Sequence, residues 1–443
     1  MTRPLEGVRV LDFTWVRAGP WATRWLAVLG AEVIKVEWPD PRLPMNMRIG
    51  GFMTRGPNEN GLVNDQNAGK LSVTVNVRSS LGLDVIKRLL AVTDVVVENF
   101  SAGVLQDWGI GFDVMREIRP DIIYVSMAGF GQTGRHAAYT TMGPSVQALS
   151  GLTFLSGIPD VQPAGWGWSY MDDTGGLYGA MCALTALHRR QMTGEGQHVD
   201  LSQVAAGITL TGPAILDVSA NGRSSRRPGY PPGNRTHWPG TPLLNNYRGR
   251  FAAPHNLYRT RGGGPFDWCA IACFSDAEWH RLRELMGSPA WAEDGGYGSV
   301  LGRLEAQDEL DARLEAWTTQ FDKYELAARC QAAGVRAAPV QSNQDRVEHD
   351  PQLKSMGMFE PVMHPIMGEH PMQHAPFTLS ETPPLVERGP LLGEHNRAIL
   401  CDMLGLPWSV VRAGYDDGTF WPKGVPIDPV LLAHEGAPAG TEV

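Results

Sequence analysis

The sequence predicts an α/β fold with a mostly parallel sheet in its first half, residues 1–216. Three observations carry this expectation. Short apolar runs alternate with segments of helical spacing, the repeat of a βαβ chain. Each helical segment closes on a turn before the next apolar run. After residue 216 the pattern stops and the composition shifts to glycine, proline, arginine and asparagine (SANGRSSRRPGYPPGNRTHWPG).

The elements follow in order. Val8–Phe13 (VRVLDF) reads as a short buried strand. Trp21–Leu29 has helical spacing, Pro20 suits its first turn, where a missing N–H costs nothing, and Gly30 ends it. Glu32–Glu37 (EVIKVE) is the next strand, which completes a crossover unit of a parallel sheet. The unit recurs. Ser80 caps an amphipathic helix, Leu83–Val92, ahead of strand Asp94–Glu98, and a helix around Phe112–Ile118 precedes strand Ile122–Ser126.

Ligands of such sheets gather beyond the carboxyl ends of the strands. The loops there are therefore candidate binding segments: Trp15-Val16-Arg17-Ala18-Gly19-Pro20, Asn99-Phe100-Ser101 and Gly129-Phe130-Gly131-Gln132-Thr133-Gly134. Arg17 has the charge to meet a phosphate or carboxylate. The third loop has the form G-x-G-x-x-G, but its glycines run into RHAAYTTMGP rather than into a helix. It reads as a wide turn of positive-φ glycines, not a dinucleotide site.

The stretch Trp166–Gln203 carries the strongest chemical signal. Asp172 and Asp173 open a helix with Leu177, Met181, Leu184 and Leu187 as its apolar pattern and His188, Arg189 and Arg190 at its end. Gly194 and Gly196 then turn the chain into the strand-like HVDLSQ. One reading makes an aspartate the helix cap. The other makes Asp172 a nucleophile held ionised by the helix N-terminus. Spacing alone leaves both open.

Residues 217–335 read as a linker and a smaller α+β domain: a glycine run Gly262-Gly263-Gly264, the strand-like DWCAIACF, and helices around Asp276–Met286 and Glu305–Thr319. Residues 336–443 are punctuated by prolines and have no evident core of their own, so they are expected to pack on the first domain or on a partner subunit. A helix over Arg397–Leu404 follows Pro390-Leu391-Leu392-Gly393-Glu394-His395.

Composition narrows the function classes. The chain has 443 residues, 43% of them hydrophobic, with 38 Lys+Arg against 47 Asp+Glu and a formal net charge of −9. There is no basic stripe of the kind a nucleic-acid partner requires. Five scattered cysteines form neither a zinc pattern nor a disulfide framework, so no metal site is expected. No apolar run reaches the length of about 18 residues that suggests a membrane span, and MTRPLEGVRVLDF lacks a signal-peptide core. A cytoplasmic protein without nucleic-acid or membrane partners is expected.

Taken together, several segments resemble the class III CoA-transferases, the family of formyl-CoA transferase and carnitine CoA-transferase. They are VLDFTWVRAGPWATRWLAVLGAEVIKVE, the turn Asn67-Ala68-Gly69-Lys70, DVVVENFSAGVL, the Asp172 segment with TGEGQHVDLSQ, and PLLGEH. The resemblance implies a large Rossmann-like domain built from both chain ends, a small domain between them, and an interlocked homodimer. It implies an enzyme that moves CoA from an acyl-CoA thioester to an acceptor carboxylic acid. No tightly bound cofactor is implied, since coenzyme A enters as part of the acyl-CoA substrate. Asp172, first residue of D-x-x-G-G, aligns with the family's nucleophile. Val16, Arg17, the Lys70 turn, Asn99 and Phe100 align with CoA contacts. Arg17 stands where formyl-CoA transferase has glutamine. That enzyme's arginine after the second strand is Trp38 here, so Arg42 or Arg48 is expected to take over its phosphate contact. Gly262, Gly263 and Gly264 align with a mobile loop over the intermediate, although a plain hairpin turn fits them equally.

The related α-methylacyl-CoA racemases carry a histidine where this chain has Met142, which cannot act as a base. Formyl-CoA transferase has Tyr-Glu there. Met142 near Trp166, Trp168 and Tyr170 points to an acyl group larger than oxalate. An acyl-CoA isomerase or racemase and a catalytically silent CoA-binding protein stand as alternatives.

Overall fold

Six parallel strands form the central sheet of a computed structural model that describes residues 3–38, 58–155, 169–222, 224, 252–293, 295–423, 427 and 429–434. The strands are β1 (Arg9–Asp12), β2 (Glu32–Glu37), β3 (Leu71–Thr74), β4 (Val95–Glu98), β5 (Ile123–Ala128) and β6 (His198–Ser202). Their order is β3-β2-β1-β4-β5-β6. The chain thus winds outward from β1 in one direction and resumes from β4 in the other, as in dinucleotide-type α/β sheets. The gap between the β1 and β4 exit loops is the switch point.

Successive strand residues point to opposite faces, and both faces are buried. Leu11, Ile34, Val73 and Val96 enter one core with Val85, Ile86, Leu89 and Leu90. Val10, Val33, Val95, Val97, Ile123 and Val125 enter the other with Leu26, Ala183 and Ala186. Double coverage is why these strands read as unbroken apolar runs.

The helices of this unit that bear on the site are α1 (Ala18–Val28), α2 (Gly61–Gln66), α3 (Ser80–Ala91), α4 (Phe112–Ile118), α5 (Gly143–Leu149), α6 (Tyr170–Thr193) and α7 (Gln203–Thr209). Two differ from expectation in where they begin. Helix α1 begins three residues earlier, at Ala18. The cap of α3 is Ser79, whose extended backbone lets its hydroxyl accept from the Gly82 N–H, so Ser80 is the first helical residue.

Helix α6 departs more deeply. The face turned inward carries Gly175, Gly176, Gly179, Ala180, Ala183 and Ala186. Of the expected apolar stripe, Leu187 packs on the core, but the other three face outward: Leu177 is 53% exposed, Met181 51% and Leu184 37%. Small residues win the inner face because α6 lies close on α1. A methyl group on Gly176 would sit 2.7 Å from the Ala18 carbonyl oxygen.

The tail covers an edge of the sheet. The Gly393 N–H donates to Ser72 Oγ at 2.8 Å, the His395 N–H to Ser72 O at 3.0 Å, and the Thr74 N–H to Asn396 Oδ1 at 2.8 Å. These bonds occupy the edge of β3, which would otherwise be open to pairing with another chain. The expected helix after His395 is a π-helical segment, Ala398–Met403. A hairpin, β10 (Phe359–His364) with β11 (Gly368–Gln373), precedes it.

The described chain divides into two compact units: Met1–Ser150 with Gly167–Leu210 and Lys354–Val443, and Gly151–Trp166 with Thr211–Leu353. The second unit has an antiparallel sheet in the order β7-β8-β9: β7 (His255–Arg259), β8 (Trp268–Ala272) and β9 (Arg336–Pro339). Helices α8 (Asp276–Leu285), α9 (Gln307–Thr318) and α10 (Lys323–Ala332) pack on it. The CAIAC cysteines Cys269 and Cys273 lie in its core with Trp279, Leu310 and Leu326. Among the described residues no helix is long and apolar enough to cross a membrane.

Candidate active site

The β1 exit is braced by a buried charge network. Asp12, the last residue of β1, is fully buried. It accepts from the Thr14 N–H at 2.8 Å, the Thr23 hydroxyl at 2.6 Å and the Lys70 ammonium at 3.0 Å. Burial opposes ionisation of Asp12, but Lys70, Lys35 and the two threonines outweigh it and hold the carboxyl below its ordinary value. Lys35 donates to Thr14 O at 2.6 Å. Lys70 also donates to Pro20 O, Thr23 Oγ1 and Asn67 Oδ1 at 2.7–3.0 Å. Its side chain has no exposed surface. The Lys70 turn was expected among the CoA contacts. The structure buries the Lys70 side chain, because a carboxylate deep under the β1–α1 turn requires a counter-charge.

Above this brace the β1–α1 loop is held in an uncommon shape. Val16 has φ +62°, a left-handed conformation that costs a β-branched residue on the order of 1–3 kcal/mol. The side-chain amide of Asn99 clasps the neighbouring residue: its Oδ1 accepts from the Trp15 N–H and its Nδ2 donates to the Trp15 carbonyl, both at 3.0 Å. Gly19 makes this clasp possible, since a Cβ there would lie 2.8 Å from the Asn99 amide carbon. The aromatic ring of Phe100 lies beside Trp15, with 6.4 Å between centroids. Val16, Arg17, Asn99 and Phe100, distant in sequence, thus converge at the switch point.

Asp172 stands in the first turn of α6. Because α6 and α1 pack closely, the start of α1 meets the start of α6, and Arg17 Nη2 lies 2.5 Å from Asp173 Oδ1. The half-buried Asp172 carboxylate rests against Gly143, at the start of α5, so closely that a Cβ there would have to displace it. Burial pushes the Asp172 carboxyl up to about 6, while the Ser169 hydroxyl and Arg17 favour the anion and Asp173 disfavours it. Desolvation is thus the largest influence on this carboxyl. At pH 7 such a group is still about nine-tenths ionised. The cap question resolves elsewhere: Ser169 precedes the helix, and its carbonyl accepts from the N–H groups of Asp172 at 2.9 Å and Asp173 at 3.3 Å.

Other expected site residues are placed as follows. Met142 is 58% exposed and directly precedes Gly143. Gly262 and Gly263 have positive φ, and the Gly264 N–H donates to Asp267 Oδ2 at 2.7 Å. These three glycines turn the antiparallel pair β7–β8 in the second unit. Arg42, Arg48, Trp166 and Trp168 lie outside the described residues.

Two features escaped the sequence reading. One is the network of Asp12, Lys35 and Lys70. The other is Glu98, a buried carboxylate at the end of β4 that accepts from the Phe100 N–H at 2.7 Å and the Tyr124 hydroxyl at 2.9 Å. The available signal was the same for both: charged residues at or inside otherwise apolar strands.

The chain matches the model of CoA-transferase family III over residues 5–396. It is 34% identical to succinyl-CoA–D-citramalate CoA-transferase of Chloroflexus aurantiacus over 405 residues, covering 91% of this chain and 95% of that one. Formyl-CoA:oxalate CoA-transferase of Streptomyces coelicolor is 32% identical, with 91% and 96% covered. Succinate–glutarate CoA-transferase of Agrobacterium fabrum is 30% identical, with 90% and 96% covered. Among solved structures, a CAIB/BAIF family protein from Brucella suis superposes with a TM-score of 0.79 at 29% identity, over 91% of this chain and 100% of the other. With a two-ended sheet, loops converging at its switch point and relatives matched along nearly their whole length, the chain belongs to CoA-transferase family III and is a CoA-transferase of that class.

Proposed function

We propose that the protein transfers CoA from an acyl-CoA thioester to an acceptor carboxylic acid, with Asp172 as the nucleophile. A carboxylate oxygen of Asp172 attacks the thioester carbonyl, the C–S bond breaks, and the CoA thiolate leaves a mixed anhydride behind. The thiolate then attacks the Asp172 acyl carbon and expels the donor carboxylate, leaving an aspartyl-CoA thioester. An acceptor carboxylate attacks the same carbon and displaces the thiolate, which takes the new acyl group and restores Asp172. Anhydride and thioester both retain activation, so the cycle needs no energy input beyond the donor thioester.

The observation that carries this reading is the setting of Asp172. It is a half-buried carboxylate, mostly ionised at neutral pH, beside Arg17 and one helix start away from the switch-point loops. In this reading Val16, Arg17, Asn99 and Phe100 line the CoA path, and Lys70 supports the loop from beneath. Arg42 remains the proposed phosphate contact. Gly262, Gly263 and Gly264 serve as the cover that keeps water from the anhydride. Exposed Met142 supports an acyl group larger than oxalate. The outward face of α6, with Leu177, Met181 and Leu184, supports a homodimer, since an apolar stripe of this kind marks an association surface. A cytoplasmic location belongs to the same reading.

The test is Asp172→Ala. Turnover is expected to fall at least about a thousandfold with acyl-CoA binding retained. Turnover within tenfold of the parent overturns the nucleophile assignment. Deuterium uptake into the acyl chain from heavy water, without acceptor, would move the isomerase reading forward.

A further inference from the structure

The loop Gly129–Gly134, set aside as a dinucleotide motif, has a definite structural employment. Gly131 and Gly134 have φ of +84° and +96°, which shapes the wide turn expected of them. A Cβ on Gly131 would sit 3.0 Å from Asp200 Oδ1. That close approach lets the next residue, Gln132, donate its N–H to Asp200 Oδ1 at 2.8 Å. The turn thereby anchors to β6. The Gln132 side chain then reaches across to the β4 exit. Its Oε1 accepts from the Gly103 N–H at 3.1 Å, and its Nε2 approaches Glu98 Oε1 at 3.4 Å. Glu98 holds the other end of that exit through the Phe100 N–H and is itself steadied by Tyr124. Residues 99–102 are thus gripped on both sides, at Phe100 by Glu98 and at Gly103 by Gln132.

We infer that Gln132, anchored by Asp200, and Glu98 form a clamp that presets the Asn99–Phe100 loop for coenzyme A, making them positioning residues for CoA binding. The inference rests on the proposal that this loop contacts CoA. The physical logic is preorganisation: a loop already held in its binding shape does not lose conformational freedom when ligand arrives. Burial raises the Glu98 carboxyl to about 7, which fits a group kept for the N–H and O–H donors around it rather than for solvent.

The experiment measures the Kd of free coenzyme A by calorimetry on the full chain. Gln132→Ala removes the Gly103 acceptor and is expected to weaken CoA about tenfold, the value of one well-placed hydrogen bond. Asp200→Ala, at an exposed position, releases the anchor and removes a like charge facing Glu98, and is expected to weaken CoA about threefold. Asp200→Asn keeps an acceptor for the Gln132 N–H and is expected to restore the parent Kd. In steady state the loss is expected in KM for acyl-CoA, with kcat at saturation within twofold and the melting temperature unchanged for the Asp200 variants. Parent-like Kd in both alanine variants overturns the clamp. So does equal weakening by Asp200→Asn and Asp200→Ala. Failure of the parent protein itself to bind CoA would instead remove the underlying reading of the loop.

Discussion

Replacing Arg17 with glutamine tests the electrostatics of the site in a way that has a sign. Arg17 pairs with Asp173 and stabilises the Asp172 anion, whose carboxyl stands at about 6. Unit charges about 6 Å apart at an effective dielectric of about 20 interact by roughly 2.8 kcal/mol, or about two pKa units. Half-burial and the opposing Asp173 reduce this to about one unit. Arg17→Gln is therefore expected to move the acid limb of kcat from about 6 to about 7. Activity requires the anion, so it falls as pH drops through that value. At pH 6 the ionised fraction goes from one half to about one tenth, a fivefold loss, while at pH 8.5 kcat stays near the parent's. Asp173→Asn removes the like charge and is expected to move the limb the other way. The assay is kcat against pH at saturating acyl-CoA, because loss of a CoA contact from Arg17 appears in KM. Profiles that fall equally at every pH, or limbs that shift in the same direction in both variants, refute the electrostatic argument.

Three further outcomes are expected. Lys70→Met strands Asp12 with only Lys35 nearby and should cost about 3–5 kcal/mol in urea unfolding; a loss below 1 kcal/mol would show that the network is not a structural brace. Val16→Gly relieves the positive φ and should raise stability by about 1 kcal/mol while weakening CoA through a looser loop; a destabilised variant would show that its side chain matters more than its backbone. In the proposed homodimer, the double change Leu177→Asp with Met181→Asp should leave the fold intact by circular dichroism and give a monomer in sedimentation; a parent that is itself monomeric, or a variant that remains a dimer, would overturn this interface.

Local chemistry was readable along the chain, and pairing across it was not. Apolar runs such as VRVLDF and EVIKVE announced strands because both sheet faces are covered, which removes the need for polar alternation. The start of α6 was readable from Asp172 and Asp173 because acids gather where helix N–H groups are free. Its buried face was misjudged for a physical reason. Periodicity weighs Leu177, Met181 and Leu184 as core, whereas close crossing with α1 selects Gly176 and Gly179, which hydropathy scores as neutral. The burial of Lys70 was not legible because its partner Asp12 lies 58 residues away. Arg17 and Asp173 met the same limit, since nothing local ties a β1 exit to a distant helix. The G-x-G-x-x-G form was read as a wide turn, yet the bond from Gly103 to Gln132 that gives it purpose could be seen only in the fold.

The most direct test of the account is chemical capture of the intermediate. The protein is incubated with a panel of acyl-CoAs, treated with borohydride, and digested for mass spectrometry. Reduction of an aspartyl thioester at Asp172, dependent on a particular acyl-CoA and absent with Asp172→Ala, is the predicted result, and it also identifies the donor. Tight acyl-CoA binding with Asp172 unmodified under every donor would contradict covalent CoA transfer through this residue.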